Sequence, residues 1–338
     1  MEEEYKPDPP NPPGPRRWMM PLLIVFYAVS AVAALFLLWR GAGVEPGSER
    51  KPSLLMTRDF MNSREPGVGW VTIHGPIFDS SSGRAWEHGM EQWNRRIQNL
   101  SNRSDVKAIV LDINSPGGSV GAVQELYQTI ERVREEKKKP VVTFVGDVAA
   151  SGGFYLAAAS DKIVTHPGSL VGSIGVIFET MNIQQLMAKI GIQANPIKSG
   201  KMKDIGSPTR AMTPEERALL QGLINDAYGQ FLAAVSKGRN IPIAKLKPLA
   251  DGRVFSGQQA LQLGLIDALG DSQDALMLAG KLAGISGKPK IVRDGESFES
   301  VLDLLDSSLS GFLHPEASWI EELKPTASAG LQYRWLGF

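Results

Sequence analysis

The sequence contains no cysteine, which removes disulfide cross-links, thiolate metal sites and a cysteine nucleophile from consideration. Histidine is nearly as scarce. The four present, His74, His88, His166 and His314, include no pair at metal-ligand spacing. No metal and no cofactor is therefore expected. Also lacking is an excess of charge of either sign: Lys plus Arg and Asp plus Glu each number 36 in 338 residues. With no overall basic field, a nucleic-acid partner has no support. No internal repeat occurs.

What is present begins with a long uncharged run. No charge interrupts the segment from Trp18 to Trp39. At about 1.5 Å per residue a helix of that length reaches roughly 33 Å, enough for a bilayer core of about 30 Å. Trp18 and Trp39 stand at its ends, where amphipathic rings favour the interface. Ala31-Val32-Ala33 could serve as a signal-peptidase site, but the apolar run continues through Leu35–Leu38, which favours an uncleaved anchor. Arg16 and Arg17 abut the run on its short side, so the N-terminus is expected in the cytoplasm and the following domain outside. Residues 1–17, acidic and then proline-rich, read as a disordered tail, 18–39 as a transmembrane anchor and 40–65 as a linker.

From residue 66 to 295 strand and helix signals alternate, which predicts an α/β domain of βαβ units with a mainly parallel sheet. Strands are expected at Trp70–Ile77, Val106–Ile113, Pro140–Val145 and Ile163–Thr165. Helices are expected at Trp86–Leu100, up to about Glu135, Ser151–Ala159, Met181–Ile190, Thr213–Lys237 and near Ser256–Leu263. The pattern weakens after Pro289. Residues 296–338 read as a partly flexible C-terminal segment, with Gln332–Phe338 exposed and open to trimming by the protein itself.

Three motifs could carry chemistry. Asn114-Ser115-Pro116-Gly117-Gly118-Ser119 follows a buried strand and precedes a helix, where close backbone approach and free N–H groups suit an oxyanion or a phosphate. A plain glycine-rich turn would look the same. Asp147-Val148-Ala149-Ala150-Ser151-Gly152-Gly153 puts a serine at another strand–helix junction, with the Gly152 N–H beside it. That serine is either a nucleophile or an N-cap. Lys198, Lys201 and Lys203 crowd one loop, where a lysine is either solvated or turned inward as a base. Acting as a base near neutrality requires a loss of about 3 pKa units, within reach of a desolvated amine.

Taken in order, NSPGGS (114–119), DVAASGGFYLA (147–157), PGSLVGSIGV (167–176) and IKSGKMKDIGSP (197–208) resemble the S49 family of serine peptidases, across residues 68–290. The resemblance implies a ClpP/crotonase-like fold, a nucleophile at Ser151 and a general base at Lys203. It also implies that Ser173 orients that lysine, and with the chemistry of acyl transfer it makes Gly118 and Gly152 the oxyanion donors. It implies, further, a ring-shaped homo-oligomer in which serine and lysine come from neighbouring subunits. Substrates would be signal-peptide remnants and other short or unfolded peptides at the outer face of a bacterial inner or plasma membrane. Two other classes compete: an acyl-CoA enzyme of crotonase type, and an inactive membrane scaffold of the same fold.

Overall fold

The computed structural model describes residues 65–79, 89–294 and 331–335. The expected tail (1–17) and anchor (18–39), nearly all of the linker (40–65) and most of 296–338 lie outside them. Among the described residues no helix is long and apolar enough to cross a membrane.

The domain is mixed α/β. Its strands are β1 (Gly67–His74), β2 (Val106–Ser115), β3 (Gly117–Ser119), β4 (Val141–Ala150), β5 (Lys162–Thr165), β6 (Leu170–Gly172), β7 (Val254–Ser256), β8 (Ala268–Leu269), β9 (Lys290–Val292) and β10 (Gln332–Arg334). Eight form one sheet in the order β7-β6-β4-β2-β1-β9, with β5 beside β4 and β8 beyond it. Every pairing in it is parallel except β6 with β7. The helices are α1 (Met90–Asn102), α2 (Val120–Glu135), α3 (Gly152–Ala158), α4 (Gln184–Lys189), α5 (Pro214–Arg239), α6 (Ile243–Leu246), α7 (Gly257–Gln262) and α8 (Ser272–Leu282).

Strand β2 shows why the sheet forms. Its run VKAIVLDI is apolar on both faces, as a strand covered on two sides must be. Ile109, Leu111 and Ile113 join Trp93, Ile97, Leu126 and Phe231 in one core. Ala108 and Val110 turn the other way, onto Ala275, Leu276 and Ala279 of α8. The parallel strands β2 and β4 end together, and their register shifts between Ile113 and Ser115. The two serine- and glycine-bearing motifs leave the sheet at that end, where open parallel sheets place their ligands.

Several expectations are corrected. Strand β4 runs past Val145 to Ala150, because Val148, Ala149 and Ala150 are also buried. The glycines of the 114–119 motif, with a plain turn as one of its two readings, lie in a short strand, Gly117–Ser119. The weak pattern after Pro289 hides β9, which pairs with β1 through only Lys290–Val292; three residues are too few to show a period. Helix α4 is shorter than Met181–Ile190 and has no buried residue. The C-terminal end is not exposed at Gln332–Arg334: these residues pair with β3, and Tyr333 is 0% exposed.

Candidate active site

Ser151 sits between the last residue of β4 and the first of α3. Its N–H donates to the Gly172 carbonyl at 2.8 Å, and its own carbonyl accepts from the Tyr155 N–H at 2.9 Å. These two bonds hold it at φ 53, ψ −115, a conformation costing a non-glycine residue about 1–3 kcal/mol. Although it occupies the N-cap position, its side chain makes no capping hydrogen bond. The hydroxyl thus lacks the structural use that would otherwise explain a serine there. Ser151 and Ser173 line one cavity of about 510 Å³. Ser173 is also left-handed, at φ 51, with its N–H bonded to the Arg253 carbonyl at 2.8 Å.

The glycines close the other side. Gly117 has φ +96, and a Cβ there would collide with the Tyr333 carbonyl oxygen and stand 2.6 Å from the Gly152 nitrogen. A Cβ on Gly118 would strike the Ile77 carbonyl. Only glycine lets these backbones converge. The Gly117 N–H donates to Ser115 Oγ at 3.1 Å, so it is engaged within its own turn. Gly118 follows it in β3, paired with Tyr333, and Gly152 is the first residue of α3.

A peptide strand already lies in this cleft. Gln332, Tyr333 and Arg334 pair antiparallel with Ser119, Gly118 and Gly117. On the opposite edge Gln332 and Ile177 exchange two backbone bonds, both 3.0 Å. The Tyr333 ring packs 5.2 Å from Tyr155 and 5.0 Å from Phe231, centroid to centroid, and its hydroxyl donates to the Ala227 carbonyl at 2.8 Å. Burial pushes the Tyr333 phenol above its ordinary range. Arg334 and Trp335 line the same cavity as Ser151.

Lys203 is placed elsewhere. It is exposed and does not line the Ser151 cavity. No residue from Gly175 to Glu215 is buried, so Lys203 rides on an arm without a core. Apolar side chains stand in solvent along that arm, Met181 at 72% and Ile190 at 63% exposure among them. Lys198 pairs with Asp204 and Lys201 with Glu215, both at 2.7 Å. Of the three lysines, Lys203 alone forms no ion pair with a described residue. Within one chain, then, Ser151 and Ser173 share a cavity, Gly152 adjoins Ser151 and the Gly117 turn, and Lys203 does not line that cavity.

Sequence reasoning passed over Arg210. Its guanidinium binds Asp204 and Glu216 together. Arg210 and Lys198 hold the Asp204 carboxyl well below the usual carboxylate range, and Arg210 with the Thr213 backbone lowers Glu216 to about 2. The legible signal was Thr213-Pro214-Glu215-Glu216, a capping box that the structure forms. The aromatic cluster of Tyr155 and Phe231 was likewise missed, since spacing in the chain does not show that they meet.

Residues 133–286 match the family described as Peptidase family S49. A putative protease of Synechocystis sp. is 46% identical over 178 residues, covering 53% of this chain and 64% of that protein. A putative signal peptide peptidase SppA of Enterococcus faecium is 35% identical over 211 residues, 61% of this chain and 60% of its own length. The chain thus spans less than two thirds of these curated relatives. Among solved structures, a membrane-bound stomatin-specific protease matches with a TM-score of 0.43 at 17% identity, covering 64% of this chain and 85% of that one. Over residues 133–286, from the second half of α2 to just past α8, this chain is thus similar to peptidase family S49.

Proposed function

We propose that the chain is a membrane-anchored serine endopeptidase of ClpP/crotonase-like fold, in which Ser151 is the nucleophile and Lys203 the general base. The carrying observation is Ser151 itself, held in a left-handed conformation beside the Gly118 and Gly152 backbone with its hydroxyl unused as a cap. In the proposed reaction neutral Lys203 takes the Ser151 proton as Oγ attacks the peptide carbonyl, forming the C–O bond of a tetrahedral intermediate. The Gly118 and Gly152 N–H groups hold its oxyanion, each worth about 3–4 kcal/mol. Lys203 then gives the proton to the departing amine, and the acyl-enzyme is hydrolysed by water activated the same way. Ser173, in the same cavity as Ser151, orients the lysine.

Because Lys203 lies on a coreless arm outside the Ser151 cavity, it acts on a neighbouring subunit. The exposed apolar side chains of the arm pack there, giving a closed ring of copies. Substrates enter as an extended strand along β3, as the C-terminal strand does. Signal-peptide remnants and short unfolded peptides at the outer membrane face fit that mode, with an apolar or aromatic side chain where Tyr333 lies. A fluorophosphonate probe tests the reading. It should label Ser151 in the assembled full chain, and Ser151→Ala should lose both labelling and peptide hydrolysis. Hydrolysis persisting in Ser151→Ala, or coenzyme A binding without labelling, would overturn it.

A further inference from the structure

The arm that carries Lys203 has no buried residue, so apolar burial within the chain does not fix where that lysine stands. Polar contacts hold the arm instead, and the densest of them centres on Arg210. Arg210 donates Nε to Asp204 Oδ2 at 2.8 Å, and Nη2 to Asp204 Oδ1 at 2.7 Å and to the Asp204 carbonyl at 3.2 Å. Its Nη1 donates to Glu216 Oε2 at 2.9 Å and to the Ala211 carbonyl at 3.1 Å, and Nη2 also reaches Glu216 Oε1. Lys198 adds a second cation on Asp204.

Glu216 is a firm anchor for this clamp. It is 1% exposed and locked to Thr213 in a reciprocal capping box. Helix α5, which it begins, buries Ala227, Phe231, Leu232 and Val235 in the main core. An unbroken chain of contacts therefore runs from the core through α5, Glu216 and Arg210 to Asp204, the residue bonded to Lys203. This guanidinium spans two carboxylates, one on the rooted helix and one beside the lysine, and gives each of them two donor contacts in a fixed plane.

We infer that Arg210 is the positioning residue that fixes Lys203 for proton transfer, by tying the lysine's turn to the capped start of α5. The inference rests on the reading of Lys203 as the base. Its test compares Arg210→Gln, Arg210→Lys and Lys203→Ala with wild type in the full assembled chain. Arg210→Gln should lower kcat by about 100-fold, the scale of an ångström of misplacement, with KM within about two-fold. Labelling of Ser151 by a fluorophosphonate should slow in parallel, since it reads activation of the hydroxyl without a bound peptide. Arg210→Lys should fail to restore either rate.

If Arg210→Gln labels and turns over like wild type while Lys203→Ala is dead, Arg210 has no such role. If Lys203→Ala itself stays active, the dyad reading fails instead, whatever Arg210 does. Should Arg210→Gln lose its assembly, Glu216→Gln decides, because it keeps an acceptor for the Thr213 N–H and removes only the anchoring charge. A kcat loss there with assembly and KM retained supports the inference, and an unchanged kcat overturns it.

Discussion

Tyr333 faces Gly118 across an antiparallel pair, and its carbonyl oxygen lies against the Gly117 backbone beside the Gly152 nitrogen. The protein's own C-terminal strand therefore brings a peptide carbonyl to the amides proposed to hold an oxyanion. If the proposed chemistry holds, cleavage of the bond after Tyr333 is the expected outcome. Mass spectrometry of purified wild type should find a form that ends at Tyr333, and Ser151→Ala should keep its full mass. Identical masses for the two would refute self-processing.

Tyr333 also predicts competition. Its ring and hydroxyl anchor the strand among Tyr155, Phe231 and Ala227. Truncating a buried aromatic costs about 3–5 kcal/mol, here spent on holding 331–335 in the cleft. Tyr333→Ala should raise hydrogen exchange in that strand and increase the initial rate on an added peptide several-fold. Faster exchange with an unchanged rate would show that the strand does not compete with substrate.

Gly117 should tolerate no side chain. Gly117→Ala adds strain at φ +96 and drives a methyl into the Tyr333 carbonyl and toward the Gly152 nitrogen. The expected cost is about 1–3 kcal/mol of stability. Displacing one oxyanion donor should cut kcat by about 10²–10³. Thermal melting and steady-state kinetics measure the two separately, and wild-type kcat in this variant would remove the glycine turn from the site.

Subunit sharing is open to complementation. Ser151→Ala and Lys203→Ala should each be inactive alone. Co-refolded together they should recover measurable hydrolysis, because some interfaces join an intact serine to an intact lysine. No recovery from mixed assemblies that form normally would mean that each site is built from one chain.

The acid response of the clamp has a defined sign. Arg210 and the Thr213 backbone lower Glu216 to about 2 from an ordinary 4.5. The charged form is favoured by folding, so this contribution is complete above about pH 4.5 and is lost as pH falls toward 2. Pepsin should leave residues 200–215 intact at pH 4.5 and cut them near pH 2 before the sheet is attacked. In Glu216→Gln the difference should largely vanish.

Much of the sheet was legible because its central strands are long and apolar on both faces. Val106–Ser115 announces itself, as does the strand that delivers Ser151. The edge strands β7, β8 and β9 were not legible, having two or three residues each. Ser151 stood out by its small neighbours, but its unused capping position needed coordinates. The role of Tyr333 was hidden altogether. It comes from the far end of the chain, and its partner Gly118 lies in a motif that reads locally as a turn. Lys203 was separable from Lys198 and Lys201 only through family resemblance; the ion pairs that occupy the other two supply an independent physical distinction.

The coreless arm between Gly175 and Glu215 has one further consequence. A segment with no interior contributes little to the heat absorbed when the domain melts, so calorimetry is nearly blind to its state. Warming can then detach the arm while the sheet stays whole. Detachment of the arm and denaturation of the sheet become separate events, and a preparation with an unaltered melting curve can still have lost the placement of the lysine proposed as its base.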